Sequence, residues 1–164
     1  MSFIETERLI LRTWMDSDVA ALERLYADEE VSRYLPGGKK TTAQAREWID
    51  RAIEEQDREN FSLWPVVRKD DHRVIGLCGL HRHDDGHVEI GWAFERGAWG
   101  QGFGTEAARA VLAYAHSVLK LKDVSAIVDP RNRASVALVN RLGLRFERVL
   151  RIGGREVLRY RYKE

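Results

Sequence analysis

Glu89-Ile90-Gly91-Trp92-Ala93-Phe94-Glu95-Arg96-Gly97-Ala98-Trp99-Gly100-Gln101-Gly102-Phe103-Gly104-Thr105 is the stretch on which the fold turns. Its first six residues carry the apolar and aromatic side chains of a strand, and Glu95 to Ala98 supply a polar link. Gly100, Gly102 and Gly104 then alternate with larger residues ahead of a helical pattern, about Thr105 to Leu119. Ala107, Ala110, Val111, Tyr114 and Val118 share one face of that helix. Glycines without a Cβ let a ligand approach the backbone, and the first helical turn offers unpaired N–H groups at the positive end of a dipole. Strand, glycine loop and helix in this order make a phosphate cradle. The spacing does not match the dinucleotide fingerprint, and no Gly-Lys-Ser or Gly-Lys-Thr follows, which counts against NAD and Mg-ATP. A tight helix-to-strand contact would ask for the same glycines, so the loop alone leaves its ligand open.

Upstream, Arg8-Leu9-Ile10-Leu11-Arg12-Thr13-Trp14 reads as a first strand, and Asp16 is expected to cap a helix whose Val19, Leu22, Leu25 and Tyr26 keep helical spacing. After Pro36-Gly37-Gly38, Thr41 and Gln44 have the spacing of a capping box. Ala45, Trp48, Ile49, Ala52 and Ile53 line one face of the helix that follows. Phe61 to Arg68, Arg73 to His81 and Gly86 to Phe94 are three strands with short polar links, which favours antiparallel neighbours. Downstream come a short strand, Val124 to Val128, and a helix, Asn132 to Leu142, ended by Gly143. Arg145 to Ile152 and Glu156 to Tyr162 then close the chain as a hairpin around Gly153-Gly154. This order suits an α/β, mixed α+β architecture with helices on the faces of a mixed sheet. A doubly wound parallel sheet would need a crossover helix between every strand pair.

The 164 residues, 44% hydrophobic and 32% charged, suit one water-soluble domain, 1–164, able to bury about 70% of its unfolded surface. A formal charge of +1 lacks the cationic footprint of a general nucleic-acid binder, so direct nucleic-acid contact is not expected. No apolar run approaches the ~20 residues of a membrane span, the first residues do not read as a secretory signal, and a single cysteine, Cys78, rules out an intrachain disulfide. A cytoplasmic location without membrane contact is the expectation, with Cys78 as buried filler. Charge is uneven: residues 1–130 hold 17 basic and 23 acidic groups and residues 131–164 hold 10 and 3. A cationic last fifth could draw an anion, although solvated surface charge explains it equally.

A second constellation, Asp129-Pro130-Arg131-Asn132-Arg133-Ala134-Ser135, ends a strand and opens the helix that closes with Arg141-Leu142-Gly143. Taken with Glu-Ile-Gly-Trp and Trp-Gly-Gln-Gly-Phe-Gly-Thr-Glu-Ala, it resembles the acetyl-CoA-binding core of the GNAT superfamily of N-acetyltransferases. The opening Glu5-Thr6-Glu7-Arg8-Leu9 and Tyr34-Leu35-Pro36-Gly37 resemble the branch that acetylates the N-terminal alanine of ribosomal proteins. The resemblance implies a central, mostly antiparallel twisted sheet of about seven strands with about four helices on its faces. It also implies acetyl-CoA as donor, a primary amine as acceptor and a possible homodimer. Leu144 stands where the family usually has Phe, and Arg148 where this branch often has Gly; neither touches the phosphate loop.

By that resemblance backbone N–H groups of Gln101, Gly102, Phe103, Gly104 and Thr105 hold the pyrophosphate, with Trp99 and Gly100 also at the cofactor. Trp92, Ala93 and Phe94 line the pantetheine arm by backbone hydrogen bonds, and Asn132 and Ser135 meet the cofactor from one helical face. Asn132 as a plain N-cap is an equally good reading. Arg141, with Arg131 and Arg133, is a candidate for the remote phosphate. Acetyl transfer needs a base for the amine, a donor to the carbonyl oxygen as it gains charge, and a group to stabilise the leaving thiolate. Glu89 is assigned as base with His87 in reserve on the same strand face, an N–H of Trp92 or Ala93 as carbonyl donor, and Ser135 as donor to the sulfur. His81, His83 and His87 sit at alternate positions that invite a metal. With Asp84 and Asp85 in the turn and no cysteine nearby, solvent-facing histidines are expected and no metal is assigned.

Overall fold

In the computed structural model, residues 2–163 are described; Met1 and Glu164, the ends of the expected domain, lie outside them. The order is β1 (Ser2–Glu5), β2 (Leu9–Arg12), α1 (Val19–Ala27), α2 (Glu29–Ser32), α3 (Thr42–Glu59), β3 (Leu63–Arg68), β4 (Arg73–Arg82) and β5 (Val88–Phe94), followed by α4 (Phe103–Ser117), β6 (Asp123–Val128), α5 (Arg133–Arg141), β7 (Arg145–Ile152) and β8 (Arg155–Lys163). The described residues thus hold eight strands and five helices, one of each beyond the expected number. β1 is four residues of mixed polarity whose only strand neighbour is β2, and α2 is a single turn. Both are too short to leave a periodic signal.

Local chemistry explains most boundaries. The Thr41–Gln44 capping box forms as expected, with Gln44 N–H donating to Thr41 Oγ1 at 3.2 Å and Thr41 N–H to Gln44 Oε1 at 2.9 Å. Asp16 does not cap α1. It opens a short 3-10 turn, and Asp18 stands at the N-cap position of α1 without a side-chain bond to that helix, its buried carboxylate accepting instead from Met15 N–H and from the Arg12 guanidinium.

The sheet order is β1-β2-β3-β4-β5-β6-β8-β7. Every pairing is antiparallel except β5 with β6. One face, with α4 and α5, builds the larger core around Leu9, Trp64, Ile90, Val111 and Val139; Cys78, fully buried, belongs to it, and burial raises its thiol pKa. The other face packs Leu77 and Ala93 against α1 and α3. Part of the cationic terminal segment is paired: Arg131 with Asp129, Arg151 with Glu156, Arg159 with Glu147, and Arg161 with both Glu147 and Asp123.

β3 crosses β4 so closely at Gly79 that a Cβ there would stand 2.0 Å from the Ser62 carbonyl oxygen. That oxygen already accepts from Leu80 N–H at 3.0 Å, so it cannot retreat without loosening the β3–β4 pairing. Gly79→Ala is expected to destabilise the protein by about 3 kcal/mol or more and lower Tm by several degrees, measured by thermal denaturation. An unchanged Tm would show that the two strands can part at this point.

Candidate active site

β5 is hydrogen-bonded to β4 from Val88 opposite Arg82 to Phe94 opposite Gly76, yet it pairs with β6 at one position only, Glu89 opposite Ser125. Beyond it the two parallel strands part. The ladder fixes which way each β5 amide points: Glu95 N–H donates to Ile75 O at 2.9 Å in the same register, so Ala93 and Gly91 also face β4. Trp92 and Phe94 therefore turn their N–H groups into the opening. This corrects the expectation for Ala93, whose amide and carbonyl face β4 and whose side chain joins the core under α1 and α3. Phe94 offers only its N–H, because its carbonyl accepts from Trp99 Nε1–H at 2.8 Å.

The first turn of α4 abuts the end of β5: a Cβ on Gly104 would touch the Phe94 ring at 3.6 Å. Gly102, at φ +81°, caps α4 without a side chain, whereas α2, α3 and α5 are capped by Asp28, Thr41 and Asn132. The first intrahelical bond is Glu106 N–H to Gly102 O, so the amides of Phe103, Gly104 and Thr105 remain for an outside acceptor. Gln101 braces the loop by donating from its side chain to Gly97 O at 2.9 Å.

Two arginines stand over this helix end. Arg141 Nη1 donates to Thr105 Oγ1 at 3.1 Å, which brings the expected phosphate candidate to the loop, while Arg131 is tied to Asp129. Arg8, which no sequence signal singled out, donates from Nη1 to Gln101 O at 2.9 Å and lies 4.2 Å over the Phe103 ring. It is held by Glu106 through its Nε and its backbone N–H. Burial alone raises the Glu106 pKa, but the Thr6 hydroxyl and the Arg8 amide and guanidinium outweigh it and hold the carboxyl below the usual value. An open depression lined by Glu7, Gly102, Thr105, Glu106, Arg109 and Ala110 continues along the outer side of the helix.

Ser135 comes to Trp92 from α5. The Trp92 indole N–H donates to Ser135 Oγ at 3.2 Å, leaving the hydroxyl proton to be given elsewhere. Asn132 is the N-cap of α5, its carboxamide oxygen accepting from Ser135 N–H at 3.2 Å, so only its NH2 remains for a second partner. Tyr160 is buried in the core and Tyr162 packs on His116.

Glu89 lies where β5 and β6 part, on the sheet face turned toward α3. Its Oε2 is 2.5 Å from His83 Nε2. His87 stacks on His83 with centroids 4.2 Å apart, and its Nδ1 is hydrogen-bonded to Asp85. His81 pairs with Glu55 at 2.8 Å, and that hydrogen bond raises the His81 pKa. The expectation of solvent-facing histidines holds for His81, which is half-exposed, and is corrected for His83 and His87, which are partly buried and stacked; each of the three has a carboxylate partner.

Residues 8–145 match the family model described as the acetyltransferase (GNAT) domain. The chain belongs to the GNAT acetyltransferase family. It is 32% identical over 154 residues to the uncharacterized N-acetyltransferase p20 of Bacillus licheniformis, covering 92% of this chain and 86% of that protein. Among solved structures, a GNAT-family acetyltransferase from Bacillus anthracis superposes with a TM-score of 0.86 at 25% identity over 98% of both chains. RimL, a ribosomal L7/L12 alpha-N-protein acetyltransferase in complex with coenzyme A, shares the fold, with a TM-score of 0.83 at 18% identity over 96% of this chain and 95% of that one.

This protein is therefore a GNAT N-acetyltransferase, and the GNAT fold uses acetyl-CoA. Pairwise contacts link Trp92 to Ser135, Ser135 to Asn132, Phe94 to Trp99, and Arg141 to Thr105 of the loop. Arg8 escaped the sequence reading because its contacts lie across a separation of 93 residues or more. Among the described residues, no helix is long and apolar enough to cross a membrane.

Proposed function

We propose that the chain transfers the acetyl group of acetyl-CoA to a primary amine by direct attack within a ternary complex, and that the acceptor is the N-terminal α-amine of a protein. The observation that carries the reading is the parting of β5 from β6 after Glu89, with Trp92 and Phe94 N–H groups facing into the gap. An extended amide-bearing chain can lie there as an added strand, which is the shape and chemistry of the pantetheine arm. The donor set fits the rest of the cofactor: uncapped amides of Phe103 to Thr105 for the pyrophosphate, with Arg8 and Arg141 beside them.

Each residue then has a task. Trp92 N–H donates to the thioester carbonyl oxygen, whose negative charge grows as the amine adds. Glu89 accepts the proton that the amine must lose, and His83, hydrogen-bonded to it and a third exposed, carries that proton outward. Ser135, its oxygen held by the Trp92 indole, donates a hydrogen bond to the departing sulfur and stabilises the thiolate while keeping its own proton. The CoA-bound RimL supports both the donor and a protein α-amine as acceptor. The direct test is mass spectrometry of a panel of short peptides with free or blocked N-termini, alongside small polyamines and aminoglycosides, with acetyl-CoA. Acetylation of free N-termini alone is expected. Turnover confined to the small amines would make the acceptor a small molecule.

A further inference from the structure

We propose that His83, His87 and Glu89 form a binding site for one divalent transition-metal ion of the zinc class at the β4–β5 turn. The hairpin builds the site. His83 N–H donates to His87 O at 2.9 Å in the register that pairs Arg82 with Val88 and His81 with Glu89. His83 thus stands opposite His87, and His81 opposite Glu89, with all four side chains on one face of a rigid two-stranded frame. Glu55 draws His81 aside, leaving three groups whose ligand atoms lie within 4.8 Å of one another.

The second layer of contacts favours a cation. Asp85 accepts from the His87 backbone N–H at 3.1 Å and engages Nδ1 of the same ring, which holds the hydrogen on Nδ1 and leaves Nε2 as a lone-pair donor. That Nε2 is buried and has no hydrogen-bond partner among the described residues. A carboxylate on one nitrogen of an imidazole with the other nitrogen unpaired is the arrangement of a metal-ligating histidine. Two imidazoles and one carboxylate suit zinc, cobalt or nickel and disfavour magnesium and calcium, which prefer oxygen ligands throughout. Without the ion, His83 Nε2 bonds to Glu89 and its ring lies flat on His87, at 10°. In-plane lone pairs of parallel rings do not converge, so binding requires the His83 ring to turn out of the stack.

An ion here would take the Glu89 oxygen needed by the incoming amine and slow acetyl transfer. That consequence rests on the proposed role of Glu89, but the binding test needs neither acetyl-CoA nor an acceptor, so the two can fail separately. The metal-stripped full chain is titrated with Co2+, followed by visible absorption, and with Zn2+ by calorimetry. One ion per chain is expected, with stoichiometric uptake lost in His83→Gln and in His87→Gln and retained in His72→Asn. Asp85→Asn, which removes no ligand, should weaken binding about tenfold to a hundredfold. This variant decides the matter if circular dichroism shows that either ligand variant fails to fold. No uptake at equimolar metal, or uptake undiminished in all three site variants, overturns the proposal.

Discussion

Gly102→Asp is expected to fold, to melt a few degrees below the parent protein and to lose measurable affinity for coenzyme A. Position 102 caps α4 at φ +81°, a left-handed conformation that strains any side chain, although aspartate and asparagine bear it best after glycine. A Cβ there meets only Arg8 Nη2, at 3.4 Å, and a guanidinium accommodates a carboxylate. The fold has one reason to object, the strained backbone, worth about 1–2 kcal/mol. The site has two: the new carboxylate accepts the first-turn amides that a pyrophosphate would use, and it places negative charge where two phosphates must approach. Losing even two charge-assisted hydrogen bonds costs about 3 kcal/mol, more than a hundredfold in Kd. Calorimetric titration with coenzyme A checks it, and parent-like affinity would remove the phosphate role from the glycine loop.

Glu89→Gln is expected to lower kcat by about a hundredfold to ten-thousandfold, the usual worth of a positioned base, with the KM for acetyl-CoA little changed. Glutamine has the same shape and its oxygen can still accept from His83 Nε2, so the hairpin keeps its geometry while the side chain loses the ability to take a proton from the amine. Steady-state release of coenzyme A against a peptide acceptor measures it. Full-speed turnover would pass the role of base to His87, two residues away on the same face.

What could be read from the chain is what neighbouring residues decide. The strand, loop and helix from Glu89 to Ser117 announce themselves because alternation, three glycines and a 3.6-residue period follow one another within thirty residues. The capping box at Thr41 is equally local. The proposed cofactor side of the site rests on equally local spacing, since Asn132 and Ser135 lie three apart at the start of α5. Contacts between distant segments were not legible. Arg8 reaches the glycine loop because β1, β2 and α4 share one core, and the indole of Trp92 finds Ser135 because α5 packs beside β6. Ala93 was misplaced because strand alternation says which residues share a face, whereas the ladder says which amides are already spent. The histidines were discounted because only the hairpin register, with its His83–His87 bond, shows that they face one another.

Amide hydrogen exchange of Trp92, Ala93 and Phe94, followed residue by residue by NMR with and without acetyl-CoA, tests the central claim most directly. If the donor lies as an added strand where β5 leaves β6, the Trp92 and Phe94 amides exchange readily in the free protein and become protected when acetyl-CoA is added. The Ala93 amide, bonded to β4, stays protected throughout. Unchanged exchange at Trp92 and Phe94 with saturating acetyl-CoA would contradict it and place the cofactor elsewhere on the fold.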